Sequence, residues 1–217
     1  MRFAGCPLRC RYCDTPESLV RTPEFVIRGA VAKVEANPVT PGQVVLASEW
    51  LLGQCGDVDG VSLTGGEPLA QADFITELLR GDFLPRPILL ETGGTLPDQL
   101  EQVISAVDLI SMDVKLPSNT GERAYWAEHE RFLRVASGRV YVKILIDEDT
   151  DPGEVVRAAA LVRAVDRRTP VFLQPITSAD GESHVTESRL ATLYSLAREL
   201  LDDLRVVPQT HKMLGIR

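Results

Sequence analysis

The chain has 217 residues, 44% of them hydrophobic and 25% charged, enough to bury a sizeable core in one soluble globular domain spanning 1–217. A formal net charge of −8 excludes a large basic surface for nucleic acid and points to a small-molecule partner. No membrane-spanning run or targeting segment is legible, so a cytoplasmic protein with no membrane partner is expected.

The most informative stretch comes first. In Arg2-Phe3-Ala4-Gly5-Cys6-Pro7-Leu8-Arg9-Cys10-Arg11-Tyr12-Cys13-Asp14-Thr15-Pro16, three of the four cysteines fall in a C-x3-C-x2-C spacing. Thiolates bind iron–sulfur clusters, and a cubane cluster takes four of them. Three local cysteines would hold three irons and leave the fourth open, as a catalytic metal site does. A structural zinc site would need a second ligand pair, which the chain does not offer. For a disulfide framework the cysteines are too few and too crowded.

Residues 17–43 have no clear period and read as an irregular insertion packed near the cysteines. Phe25–Ile27 and Val31–Val34 allow a short hairpin around Gly29, interrupted on both sides by Pro23, Pro38 and Pro41. Thr40-Pro41-Gly42-Gln43 then starts a helix expected to run to about Gln54: Thr as cap, Pro at the first helical position, Gln three residues after the cap. Cys55, just beyond it, is expected to be a small buried hydrophobe and not a fourth cluster ligand.

From here apolar β-type runs at 60–63, 87–90, 109–114, 140–146, 171–176 and 205–207 alternate with helical patterns. Leu100, Val103, Ile104 and Val107 are spaced i, i+3, i+4, i+7, as are Val155, Ala158, Ala159 and Val162 behind the start signal Asp151-Pro152-Gly153-Glu154. A last helix near 185–201 puts Leu190, Leu193, Ala197 and Leu200 on one face. Strands alternating with helices mean βα units around a parallel sheet, so the expected class is α/β, an open (β/α) barrel with its chemistry at the C-terminal strand ends.

Each polar motif falls at such an end. Thr64-Gly65-Gly66-Glu67-Pro68 pairs two glycines, which allow close backbone approach, with an acid that an ordinary turn does not need. Glu91-Thr92-Gly93-Gly94-Thr95 ends the next strand, with Glu91 either a site residue or a structural acid. Ser111, Asp113 and Lys115 at i, i+2 and i+4 project from one face, as an internal ion pair or as a polar clamp on a ligand. Gln174-Pro175 ends a later strand, either at a ligand or simply as its terminator. In Pro208-Gln209-Thr210-His211-Lys212, His211 is a proton carrier or a structural His. His129 and His184 have no supporting context and are expected on the surface.

The cysteine loop resembles the radical S-adenosylmethionine (SAM) superfamily, and its fuller string R-F-A-G-C-P-L-R-C-R-Y-C-D-T-P resembles the 7-carboxy-7-deazaguanine synthase branch. The resemblance implies a partial TIM-like barrel and a [4Fe-4S] cluster on Cys6, Cys10 and Cys13, with SAM on the open iron. It implies SAM contacts from Tyr12, Asp14, Gly65, Gly66, Glu67, Ser111, Asp113, Lys115, Gln174 and Pro175. It further implies a Mg2+ ion held by Thr15, and substrate contacts from Arg2, Thr64 and Glu91. The implied reaction converts 6-carboxy-5,6,7,8-tetrahydropterin to 7-carboxy-7-deazaguanine with loss of ammonia. Its partners are the pterin and a reductant such as flavodoxin or ferredoxin, and a homodimer is compatible with it.

Two departures stand out. Gly93 replaces the asparagine of the family's E-T-N-G-T, and Met1 falls within the expected first strand, without the upstream Q-G-E-G stretch that binds the pterin. A glycyl-radical activase shares the cysteine spacing but not Asp14-Thr15 or S-x-D-x-K-x-P-S. A non-catalytic metal-binding module is the remaining alternative.

Overall fold

The computed structural model describes residues 1–56, 58–178 and 181–215. The chain forms two compact units, one of residues 1–7, 15–91 and 98–109, the other of 8–14, 92–97 and 110 onward.

In the first unit β1 (Arg2–Phe3) pairs in parallel with β4 (Val61–Gly65), and β4 with β5 (Ile88–Thr92). Leu63, Ile88 and Leu90 are buried between the strands and the helices that cover them. Within the insertion read as irregular, the short hairpin that the sequence allowed around Gly29 is formed: β2 (Glu24–Arg28) and β3 (Ala32–Ala36) pair antiparallel. Its turn lies on α1 (Pro41–Cys55), where a side chain at Gly29 would meet Trp50 and Leu51, and the Lys33 ammonium sits 3.8 Å from the Trp50 ring centroid. The part of the insertion that reaches the cysteine stretch is a 3-10 turn, Pro16–Leu19, not the hairpin.

Helix α1 starts as its sequence dictates. The Thr40 side chain accepts from the Gln43 amide, and the Gln43 side chain accepts from the Thr40 amide. The Cys55 expectation fails: it is the last residue of α1 and exposed, because α1 fully buries only Val44 and turns its final residues to water. A further helix, α2 (Ala72–Leu79), seats Ala72, Ile75, Leu78 and Leu79 in the core. After β5, the helix α3 (Pro97–Val103) is shorter than the Leu100–Val107 stripe suggested. The chain tightens to a 3-10 turn at Ile104–Ala106, and Val107 is already extended. Leu100, Val103 and Val107 are buried nonetheless, since the tighter turn still returns to the same side.

The second unit carries four parallel strands in the order β6 (Leu109–Asp113), β7 (Val140–Ile146), β8 (Val171–Pro175) and β9 (Leu204–Val206). Val142, Ile144, Ile146, Val171 and Leu173 are fully covered, as near-continuous apolar strands require. Between β6 and β7 lie the short α4 (Pro117–Thr120) and α5 (Trp126–Ala136). Helix α6 (Pro152–Asp166) is capped by Asp151, whose carboxylate accepts from the Gly153 amide at 2.7 Å. Val155, Ala158, Ala159 and Val162 have no exposed surface, and each buried valine contributes about 2 kcal/mol. Helix α7 (Glu187–Arg198) is shorter at both ends than the expected 185–201; Thr186 sets its start by capping it through the Arg189 amide. The chain then passes β9 and reaches α8 (Thr210–Met213). Among the described residues no helix is long and apolar enough to cross a membrane.

Candidate active site

In the first unit, the glycine pair after β4 holds the head of the cysteine stretch. The Gly66 amide donates to the Phe3 carbonyl, and the Glu67 amide to that of Gly5, both at 2.9 Å. Gly5, with φ +96, donates to the Ser18 carbonyl at 2.7 Å. A β-carbon on Gly66 would overlap the Gly5 carbonyl and lie 2.6 Å from that of Ser18; one on Gly65 would overlap Phe3. Both glycines are therefore required by the approach of the chain's own backbone.

Glu67 is buried, and its carboxylate accepts from the Leu69 amide at 3.1 Å, capping the 3-10 turn Pro68–Gln71. Thr64 is half-buried opposite Arg2 in the β1–β4 register, and the Arg2 side chain is exposed. Glu91 accepts from the Ser62 hydroxyl at 2.9 Å. Thr15 is half-buried, and its hydroxyl accepts from Ser18 at 3.2 Å, which leaves a lone pair for a cation.

In the second unit, the stretch 8–14 is moored to the segment after β6. The Arg11 amide donates to Thr120 at 3.0 Å, and its guanidinium to the Ser118 carbonyl. Gly121 has φ +75 and its missing side chain makes room for Arg11, whose chain would lie 3.3 Å from a β-carbon there. Ser118 is itself fixed, its amide and hydroxyl both donating to Glu154.

The clamp face is built from two strands. Lys115 pairs with Asp113 at 3.0 Å and reaches the Tyr12 hydroxyl at 3.4 Å. Lys143, opposite Asp113 in the β6–β7 register, brings a second ammonium to within 3.2 Å of the same carboxylate. Burial alone would raise the Asp113 carboxyl, but Lys115 and Lys143 more than offset it and hold it below its ordinary value. For Lys115 burial acts downward, yet the Asp113 carboxylate keeps its ammonium well above the usual range. Burial raises the Tyr12 phenol, so it stays protonated. Next to this pair, the Ser111 hydroxyl is buried with no hydrogen-bond partner among the described residues. The ion pair of the structural reading is thus present, together with an orphaned hydroxyl that the pair does not satisfy.

Asp14 meets the C-terminal motif: the His211 Nε2 lies 3.0 Å from its Oδ2. Gln174 donates to the Pro208 carbonyl at 3.2 Å beside the buried Pro175, while the Gln209 side chain accepts from the Thr177 amide at 2.8 Å.

Two residues were not singled out by sequence. Lys143 is a lone cation inside the apolar run 140–146, and the period-2 rule would have put it on the Asp113 side. His129, expected on the surface, has no exposed area. It heads the stripe His129, Phe132, Leu133, Ala136 at i, i+3, i+4, i+7, which is the buried face of α5. His184 is exposed as expected.

All four cysteines are thiols outside any disulfide, and Cys6, Cys10 and Cys13 are half-buried. Among the described residues no three His, Cys, Asp or Glu side chains surround one point as ligands of a single ion, an arrangement a cubane does not need, since its thiolates bind separate irons. The donor chemistry fits a cluster, and the unpartnered Ser111 hydroxyl beside a charged clamp fits a polar ligand.

The radical SAM superfamily model matches residues 2–147, two thirds of the chain. The 7-carboxy-7-deazaguanine synthase of Geobacter sulfurreducens is 37% identical over 99% of this chain and 88% of its own length. That of Methanopyrus kandleri is 34% identical over 99% and 84%. The chain belongs to the radical SAM superfamily, in its 7-carboxy-7-deazaguanine synthase family. Among solved structures, a radical SAM methyltransferase from Sphaerobacter thermophilus superimposes with a TM-score of 0.61 at 16% identity, over 94% of this chain. This chain spans 63% of that protein's length, and the likeness carries the fold alone. Membership of the superfamily brings with it a [4Fe-4S] cluster and SAM as the cofactors.

Proposed function

We propose that this chain converts 6-carboxy-5,6,7,8-tetrahydropterin to 7-carboxy-7-deazaguanine, a reading supported by its relatives, whose names state that product. The observation that carries the reading is Tyr12, which stands between Cys10 and Cys13 and is held by Lys115 of the clamp. This contact joins the stretch carrying Cys10 and Cys13 to the clamp, which supports reading them together.

When bound, the cluster and SAM supply a one-electron cleavage that opens a radical reaction, chemistry that belongs to the cofactors. The protein's residues bind, orient and shield. Cys6, Cys10 and Cys13 would hold three irons. Asp113, Lys115 and Lys143 present one anion and two cations, matched to the ammonium and carboxylate of an amino-acid ligand, and the Ser111 hydroxyl has a free hydrogen bond to give. Tyr12, Asp14, Gly65, Gly66, Glu67, Gln174 and Pro175 would complete the SAM contacts. The Arg2 guanidinium offers a two-pronged fork to a substrate carboxylate, with Thr64 and Glu91 as further substrate contacts. Thr15 would give Mg2+ one hard oxygen, the rest coming from water and substrate. A small electron carrier such as flavodoxin or ferredoxin would deliver the electron.

Anaerobic reconstitution followed by SAM, reductant and the pterin tests this. The expected products are 5′-deoxyadenosine and 7-carboxy-7-deazaguanine. Formation of 5′-deoxyadenosine without the deazaguanine would reject the substrate, and formation of neither would reject the catalytic reading.

A further inference from the structure

We propose that His129 is a positioning residue for the cofactor clamp, its Nε2–H tying the turn after β5 to α5 beside the Lys115 end of β6. The inference rests on the proposed function, since the clamp's ligand is taken to be SAM.

The ring is wholly buried, and its Nε2 lies 3.3 Å from the Gly93 carbonyl and 3.5 Å from the Lys115 amide. A carbonyl only accepts and an amide only donates, so Nε2 can satisfy one of them at a time. The shorter contact assigns the proton to Nε2. Nδ1 is then a bare acceptor, and it is buried without a hydrogen-bond partner among the described residues. The rings of Tyr125 and Trp126 stand near the imidazole, at centroid distances of 6.3 and 6.5 Å. The charged groups that face it are Lys115, Glu128 and Asp113. A second proton, on Nδ1, would have no acceptor and would add a cation to a site that already holds Lys115. Burial accordingly pushes the imidazole down to about 4, so it is neutral at physiological pH.

The held turn is tightly constrained. Gly94 has φ +65, and a β-carbon there would lie 2.6 Å from the Met112 side chain. Met112 separates Ser111 from Asp113 on β6, so the turn packs on the back of the clamp strand while His129 secures it from α5. Losing the tie frees the turn that packs on Met112, between the clamp residues Ser111 and Asp113.

Two measurements test this. In the chain labelled with 15N at histidine, the His129 imidazole should be neutral and Nε2-protonated at pH 6. An Nδ1–H tautomer or an imidazolium there would overturn the inference. In reconstituted H129F and H129Q, SAM affinity is read by equilibrium dialysis, and KM and kcat from 5′-deoxyadenosine formation. H129F should weaken SAM binding and raise its KM about tenfold, the scale of one lost hydrogen bond, with kcat within about twofold. H129Q, which can still donate to Gly93, should recover most of the affinity. Unchanged binding in H129F, or equal losses in both variants, would overturn the inference. Should H129F not fold, H129Q and the tautomer decide it. A wild-type chain that keeps the Nε2–H tautomer yet binds no SAM would instead reject the proposed function, and the clamp's ligand with it.

Discussion

At the scale of residues, the charged clamp is asymmetric, and mutation should expose this. Removing Asp113 takes from two half-buried ammoniums the carboxylate they share, whereas removing Lys115 leaves Asp113 with Lys143. D113A should therefore cost about 3 kcal/mol in chemical denaturation of the apo chain, and K115A clearly less. Equal losses would mean that Lys143 does not share the carboxylate. His129 gives a pH signature. An unfolded histidine takes its proton near pH 6.5, but the folded one only at about 4. Between those values the unfolded state binds more protons, so stability falls as pH falls, by up to about 3 kcal/mol at the lower end. Asp113, with its carboxyl held low, loses its contribution only below that window. Denaturation midpoints between pH 6.5 and 4.5 should slope in the wild type and flatten in H129Q; a parallel slope in the two would contradict the assignment.

At the scale of elements, glycines separate close approach from mere flexibility. G66A drives a β-carbon into the backbone of Gly5 and Ser18, which cannot retreat without moving the cysteine stretch. It should lose 2 kcal/mol or more and lower iron incorporation, the range expected of overpacking. Gly53, inside α1 with open space around it, is the control: G53A should stabilise by about 1 kcal/mol through helix propensity. Elements announced by local chemistry were the legible ones. The Thr40 and Asp151 caps and the Val155–Val162 stripe predicted α1 and α6 closely, because capping and periodicity act within a few residues. Helix α5 went unread although its stripe is regular, since its first member is a histidine and not an apolar residue. The truncation of α3 at Val103 and the exposure of Cys55 depend on what each helix packs against, which local sequence does not carry. The same limit applied in the site. Ser111, Asp113 and Lys115 were placed on one face by the period of a strand, but Lys143 joins them only through the β6–β7 register.

At the scale of the whole molecule, everything turns on three thiolates for four irons. C6A, C10A and C13A should each abolish the brown cluster colour on anaerobic reconstitution, while C55S, at an exposed helix end, should leave iron content unchanged. Loss of iron in C55S would instead mark a fourth protein ligand. The most direct measurement is the electron paramagnetic resonance spectrum of the reduced, reconstituted chain with and without SAM. A [4Fe-4S] signal whose g-values shift when SAM is added is the predicted result. A cluster spectrum indifferent to SAM, or a colourless chain holding zinc on Cys6, Cys10 and Cys13, would contradict it.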